Sequence, residues 1–219
     1  MFKLTKLITA AEGADRSKLE AALNSAAKAS GVVRSMLNPT LPNVYNGGDY
    51  IWHLQFADEA AYRKWQADAG KTLDMTLADP SLVKLAESAA YEGGRSGSKP
   101  GGLNKGAYRT LFLSANTAPN EAAVKKFDDE TYMMGVYIHT IKNWQVSRVK
   151  ESGGSRPWTH VWEQEYEDIS GLQGAYMLHP HHWGHIDRWY DPECTDYMID
   201  TFLCHTFCNF DGSMIAPKG

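Results

Sequence analysis

The chain has 219 residues, 43% of them hydrophobic and 11% aromatic, with a net charge of −4. That composition supplies a packed core and excludes a disordered tail, and without a basic block nucleic acid is not expected as the main partner. No apolar run approaches the roughly 20 residues needed to cross a bilayer, so no membrane is expected.

The first residues, Phe2 to Ala10, alternate apolar and polar and predict a strand, with no signal-peptide core. The three cysteines, Cys194, Cys204 and Cys208, are an odd number that fits a reducing compartment, so a cytoplasmic location is expected. Asp15 is placed to cap a helix over 16–29 with Leu19, Leu23 and Ala26 at helical spacing, ended by Gly31. Strands are predicted over 32–37 and 50–56, with a loop rich in proline, asparagine and glycine between them. Asp58 caps a short helix holding Tyr62 and Trp65, residues 71–79 carry no clear pattern, and 80–90 reads as a helix running into a short strand. The order β-α-β-β-α-β is that of a ferredoxin-like half.

Residues 92–106 are glycine-rich with serine, proline and lysine, and read as a flexible connector. The pattern then restarts. A strand is predicted over 108–115, a helix over 119–132, a second strand over 135–139, a polar loop over 150–156, a third strand over 158–162 and a last strand over 201–209. The third strands of the two halves each hold a histidine, His53 and His160. The fold class expected is therefore α+β, with two ferredoxin-like halves, 1–91 and 107–219, forming a fused barrel and an internal pseudo-dimer.

One stretch has no counterpart in the first half. From Tyr176 to Glu193, four of the eight histidines fall within residues 179–185, among tryptophans, tyrosines, an arginine and aspartates. Such a mixture suits a pocket wall. Pro180 is placed to open a helix that runs to about Tyr190.

On these residues, Thr159-His160-Val161 on a strand followed by Tyr176-Met177-Leu178-His179-Pro180-His181-His182, the second half resembles the stress-responsive dimeric α+β-barrel (Dabb) family. It is similar to plant cyclases of the olivetolic-acid type, in which a Tyr and the last His of a Tyr-x-x-His-Pro-x-His motif form an acid–base pair. The resemblance implies Tyr176 and His182 as catalytic residues and His160 as a pocket residue. It covers roughly 107–210. The sequence departs from those cyclases at the first strand, which carries Tyr108 and Arg109 in place of their histidine, and in the polar, aromatic extension from Trp183 to Tyr190. Other members of the superfamily cleave carbon–carbon bonds, act as monooxygenases without a cofactor, or bind haem.

A histidine can take a proton from an activated carbon or phenol, and a tyrosine hydroxyl can donate to the oxyanion that forms. Such chemistry needs no cofactor when the substrate spreads its own charge. By alternation, Trp158, His160 and Trp162 share one strand face, as do Tyr137, His139 and Ile141 on the preceding one. These faces, with Trp183, would make an aromatic-walled pocket. His160, His179 and Asp187 are candidates to orient the pair or the substrate, and Arg188 or Arg109 to hold a carboxylate. The expected function is a cofactor-independent lyase or cyclase on a small aromatic, phenolic or polyketide-like compound, acting by cleavage, decarboxylation or ring closure. The expected partners are that small molecule, the internal pseudo-dimer and, beyond it, a further copy in a homodimer. The rival readings are a stress-induced protein that holds a hydrophobic ligand without turning it over, and a cofactor-free monooxygenase.

Plainer roles compete at several positions. His53 reads as structural, and Trp52, Trp65 and Trp189 as packing between the halves. His181 and His185, four apart on a helix, could hold a metal with Asp187 or Glu193, but no glutamate lies between them as in a metalloprotease helix, and no metal is expected. Cys204 and Cys208 share a strand face too far apart for a disulfide.

Overall fold

The computed structural model describes residues 1–115 and 121–215. The first half runs β1 (Phe2–Ala10), α1 (Arg16–Ala27), β2 (Val32–Pro39), β3 (Tyr50–Phe56), α2 (Glu59–Trp65), a π-helical turn (Gln66–Gly70), α3 (Lys71–Leu77) and β4 (Val83–Glu92). After β5 (Arg95–Ser98), the second half runs β6 (Lys105–Leu113), α4 (Glu121–Tyr137), β7 (Ile141–Gly153), β8 (His160–Tyr166), α5 (Ile169–Gly171), short helical turns over 172–189, and β9 (Cys204–Asp211). The caps stand where the sequence puts them. Asp15 Oδ1 accepts from the Lys18 amide at 3.0 Å, and Asp58 Oδ1 from the Ala61 amide at 2.8 Å.

Three local readings change. Residues 83–92 are strand throughout, because β4 pairs along all of β1 and its far end pairs with β7; that tertiary pairing overrides the helix propensity of its alanines. Gly135 does not open a strand. α4 continues to Tyr137, and Gly135 lies where the helix crosses Trp144, with no room for a Cβ. The strand expected over 135–139 therefore begins at Ile141 and extends to Gly153, taking in much of the polar stretch read as a loop. The start of that helix at Pro119 lies outside the described residues. Within the glycine-rich 92–106, β5 is an ordered strand paired with β7.

The nine strands of the described residues belong to one sheet, in the order β2-β3-β1-β4-β7-β8-β6-β9, with β5 added at β7. The two halves join where β4 pairs antiparallel with β7. At the opposite edge, bridges between Thr40 and Cys208 and between Tyr45 and His205 bring the loop after β2 onto β9. The sheet thus curls into a barrel with helices on its outside, an α+β fold of two ferredoxin-like halves.

Side-chain alternation sorts each strand between the barrel interior and a helix-covered outer face. Inside lie Leu7, Ile51, Tyr91, Tyr108, Phe112, Cys204 and Cys208, drawn from both halves. They surround a polar network. Glu163 accepts from Lys3 Nζ at 3.0 Å and from the Tyr108 hydroxyl at 2.8 Å, while Thr5 Oγ1 bonds His53 Nδ1 at 2.8 Å. The outer faces hold two separate cores. Trp52 and Trp65 pack under the first half's helices and Trp189 under the second's, so none of the three lies between the halves as expected.

Register gives the internal correspondence. Phe2 lies opposite Phe56 as Ala107 lies opposite Tyr166, so Trp52 matches Trp162 and His53 matches Glu163. The histidines of the third strands are therefore not equivalent. His53 points into the barrel, whereas His160, at the position of Tyr50, packs against Phe127 of α4.

Candidate functional site

On the outer face of the second half, β6, β8 and β9 form a floor, and α4 with the turns over 172–189 forms walls. Between them is a cavity of about 250 Å³. Leu111, Met134, Trp162, Ile186 and Leu203 make its surface largely apolar, and Arg109, Tyr176, His182, Asp187 and His205 add the polar groups.

Arg109 is buried on β6, where alternation turns it to the helix side. Its Nη1 donates to Gln164 Oε1 at 2.5 Å and to the Tyr176 hydroxyl at 3.1 Å. The Tyr176 oxygen therefore accepts from a cation and keeps its own proton to donate elsewhere. Tyr176 sits at the end of a π-helical turn, and His182 begins the next one. Their rings meet edge to face, with centroids 4.7 Å apart. His182 Nδ1 lies 3.5 Å from Asp187 Oδ1, within reach of an ion pair when protonated. Burial lowers the His182 pKa, Asp187 pulls it up, and Arg109 with His179 and His181 pushes it down; the net shift is below the ordinary value of 6.5. His182 is therefore neutral near pH 7, as a base must be.

His205 is the residue that the sequence reading missed. Burial, with Arg109 and His182 nearby, pushes its pKa down to about 2, so it is a neutral imidazole. Among the described residues, its Nε2 is buried without a hydrogen-bond partner, as are Arg109 Nε, Thr131 Oγ1 and Trp162 Nε1. Buried polar atoms are rarely left unpaired, and four such atoms in the lining of one cavity mark where a polar ligand or water would bond. The signal was available in the alternation of β9, which sets His205 and Phe207 on the face opposite Cys204 and Cys208. Tyr190 also faces the cavity, its pKa raised by burial.

The structure gathers Tyr176, His182, Arg109, Trp162 and Asp187 into this cavity, and the other expected pocket residues lie elsewhere. His160 bonds Thr159 Oγ1 through Nδ1 at 2.8 Å and stands 3.5 Å from Asp128, tying β8 to α4. The shift of β8 to a start at His160 leaves Trp158 outside the strand. Trp158 turns into the barrel instead, where Nε1 donates to Glu87 at 2.8 Å, so it does not share a face with Trp162. Tyr137 ends α4, exposed and packed on His181, and His139 is exposed in the following turn beside Thr140 and Lys142. His179 Nδ1 accepts the His181 amide at 3.1 Å, a helix-start contact. Arg188 is held by Glu130 at 2.6 Å and 2.7 Å, and Trp183 points outward, 60% exposed.

The rival metal site does not assemble. His181 Nε2 donates to the Glu130 carbonyl at 2.9 Å, and its ring stacks on that of His185 with centroids 5.0 Å apart. Among the described residues, no three His, Cys, Asp or Glu side chains are grouped to share an ion. No helix among them is long and apolar enough to cross a membrane.

Residues 107–202 match the family model of the stress responsive A/B barrel domain. No curated protein matches the chain. Among solved structures, an anthrone oxidase-like protein superposes with a TM-score of 0.70 at 9% identity, over 99% of this chain and 93% of that one. Two candidate monooxygenases, from Lactobacillus acidophilus and Fusobacterium nucleatum, superpose with TM-scores of 0.56 and 0.59 at 13% and 11% identity, each over 99% of this chain and 98% or 97% of theirs. At these identities the likeness is one of fold.

Proposed function

We propose, from the match of residues 107–202 to the stress responsive A/B barrel domain model and from the site's geometry, that the chain is an enzyme that abstracts a proton from a small aromatic, phenolic or polyketide-like compound without a cofactor. The observation that carries this reading is the pairing of a neutral His182 with Tyr176, whose hydroxyl accepts from Arg109, inside a cavity with apolar walls. His182 takes a proton from an acidic carbon or a phenol. The oxygen that gains the negative charge receives a hydrogen bond from the Tyr176 hydroxyl, and the guanidinium behind Tyr176 reinforces it. Asp187 steadies the imidazolium that forms, and His182 then returns the proton at another atom. A phenolate reprotonated at its side-chain carbon becomes a quinone methide that can accept the electron pair left by loss of carbon dioxide or by carbon–carbon cleavage, and a carbanion can attack a carbonyl of the same molecule and close a ring, which makes a lyase or cyclase.

A second reading shares the first step. The structural neighbours include an anthrone oxidase-like protein and candidate monooxygenases. An electron-rich carbanion of the anthrone kind can itself reduce oxygen, so the same site would serve a cofactor-free monooxygenase. The deciding experiment follows oxygen with an electrode while a panel of phenolic acids, anthrones and β-dicarbonyls is converted. Turnover without oxygen uptake supports the lyase or cyclase, and uptake matching turnover supports the monooxygenase. In either case His182→Gln lowers kcat by about 10²–10⁴-fold. Unchanged turnover in that variant removes His182 from the chemistry, and tight binding with no turnover of any compound leaves a ligand-holding protein.

A further inference from the structure

The first half has a cavity of its own at the position equivalent to the site just described. β1 and β4 set Lys6 opposite Ser88, as β6 and β9 set Leu111 opposite His205. The helix capped by Asp58 places Gln66 where the helix capped by Asp168 places Tyr176, each eight residues beyond its cap. Between that helix and the sheet is a space of about 240 Å³, lined by Lys6, Tyr62, Trp65, Asp74, Ser88 and Glu151 among others. A hollow thus stands at the same place in both halves, but the chemistry at the two floors differs. Where the second half has an imidazole facing an apolar leucine, the first has a primary amine facing a hydroxyl.

Lys6 is poorly compensated there. Its side chain is only 13% exposed, yet the nearest carboxylate, Asp74, stands 3.8 Å from Nζ, and Ser88 Oγ lies at 3.4 Å. An ammonium has three protons to place and a charge to neutralise, and long contacts do both badly. Burial lowers the Lys6 pKa and Asp74 only partly restores it, which agrees with an under-compensated cation. Glu151 is already engaged, by Arg63 in an ion pair and by the Tyr62 hydroxyl at 3.4 Å. Asp74 is 61% exposed at the cavity edge and has acceptor capacity to spare.

We propose that this cavity is a second binding site, for a short 2-hydroxycarboxylate whose carboxylate sits on Lys6 Nζ and Ser88 Oγ and whose hydroxyl donates to Asp74. The carboxylate supplies the close counter-charge that Lys6 lacks, and the hydroxyl separates it from the Asp74 oxygens. A phosphate dianion fits badly, because Asp74 and Glu151 flank the amine. The proposal is independent of the reaction assigned to the second half.

The test is a titration of the intact protein with glycolate, acetate and inorganic phosphate, followed by amide chemical shifts. Glycolate should shift residues 86–90 and 151–154 in a saturable way, in the roughly millimolar range expected of so small a ligand. Acetate should bind about tenfold more weakly for want of the hydroxyl, and phosphate should not saturate. Lys6→Met should abolish the response and Arg109→Leu should leave it intact. Ser88→Ala, which removes a single hydroxyl, should weaken it several-fold and serves if Lys6→Met fails to fold. No saturable shift in these segments, shifts confined to the Arg109 and His205 cavity, equal binding of all three anions, or an undiminished response in the variants of Lys6 or Ser88 overturns the proposal.

Discussion

Arg109 and Tyr176 are joined across the floor of the second-half cavity by a hydrogen bond of 3.1 Å from Nη1 to the phenol oxygen. The bond orients the hydroxyl and polarises it toward whatever lies in the cavity. Tyr176→Phe removes the donor while keeping the ring against His182, and should lower kcat by about 10²–10³-fold with little change in KM, as expected of a group that acts on charge formed in the transition state. Arg109→Lys should not rescue Arg109→Leu, since one ammonium cannot reach both Gln164 and Tyr176 in the geometry of the guanidinium. Steady-state kinetics on the best substrate of the panel check both.

His182 sets the acid limb of the pH profile. Burial holds its pKa below the ordinary imidazole value, so kcat/KM should be level around neutral pH and fall only in the acid range, as the base becomes protonated. Asp187 raises this pKa and Arg109 lowers it. Asp187→Asn should therefore move the acid limb to lower pH, and Arg109→Leu should move whatever activity remains to a limb at higher pH. A limb that ignores both substitutions would assign the titration to another group.

The buried Lys3–Glu163 pair links the two halves inside the barrel, with side chains 3% and 0% exposed. Lys3→Met leaves a carboxylate in the interior without its cation, and should cost about 3–5 kcal/mol. Replacing both, Lys3→Met with Glu163→Leu, should recover most of that loss. Denaturant unfolding of the single and double variants measures the difference.

How much of this was legible in the sequence depends on whether local pattern or tertiary pairing decided each segment. Asp15 and Asp58 announce their helices because a capping carboxylate acts within three residues. The motif from Tyr176 to His182 was likewise readable, since its members converge through one run of short helical turns. Gly135, expected to open a strand, lies inside α4 because a glycine at an element boundary and one that admits a neighbouring indole look alike in sequence. His53 and His160 looked equivalent by their place in the third strands, and only the register against β1 and β6 separates them by three positions. Arg188 and Arg109 could not be ranked until Glu130, far away in sequence, proved to hold the former. His205 was hidden by distance from the histidine cluster, although its strand period placed it correctly.

The loop after β2 lies on β9 through hydrogen bonds between Tyr45 and His205 in both directions, 2.9 Å and 2.8 Å long, and β9 carries one of the cavity's histidines. When two separate chains meet in this way, a strand of the site is secured only as often as the partner is present, and dilution loosens it. Here the partner strand is tethered, so its local concentration is fixed by the covalent chain and not by how much protein the solution holds. The thermal midpoint of barrel opening should then be the same in dilute and concentrated samples. Each half is also free to drift in sequence without a mirror change in the other, as the imidazole of His205 and the hydroxyl of Ser88 at equivalent positions already record.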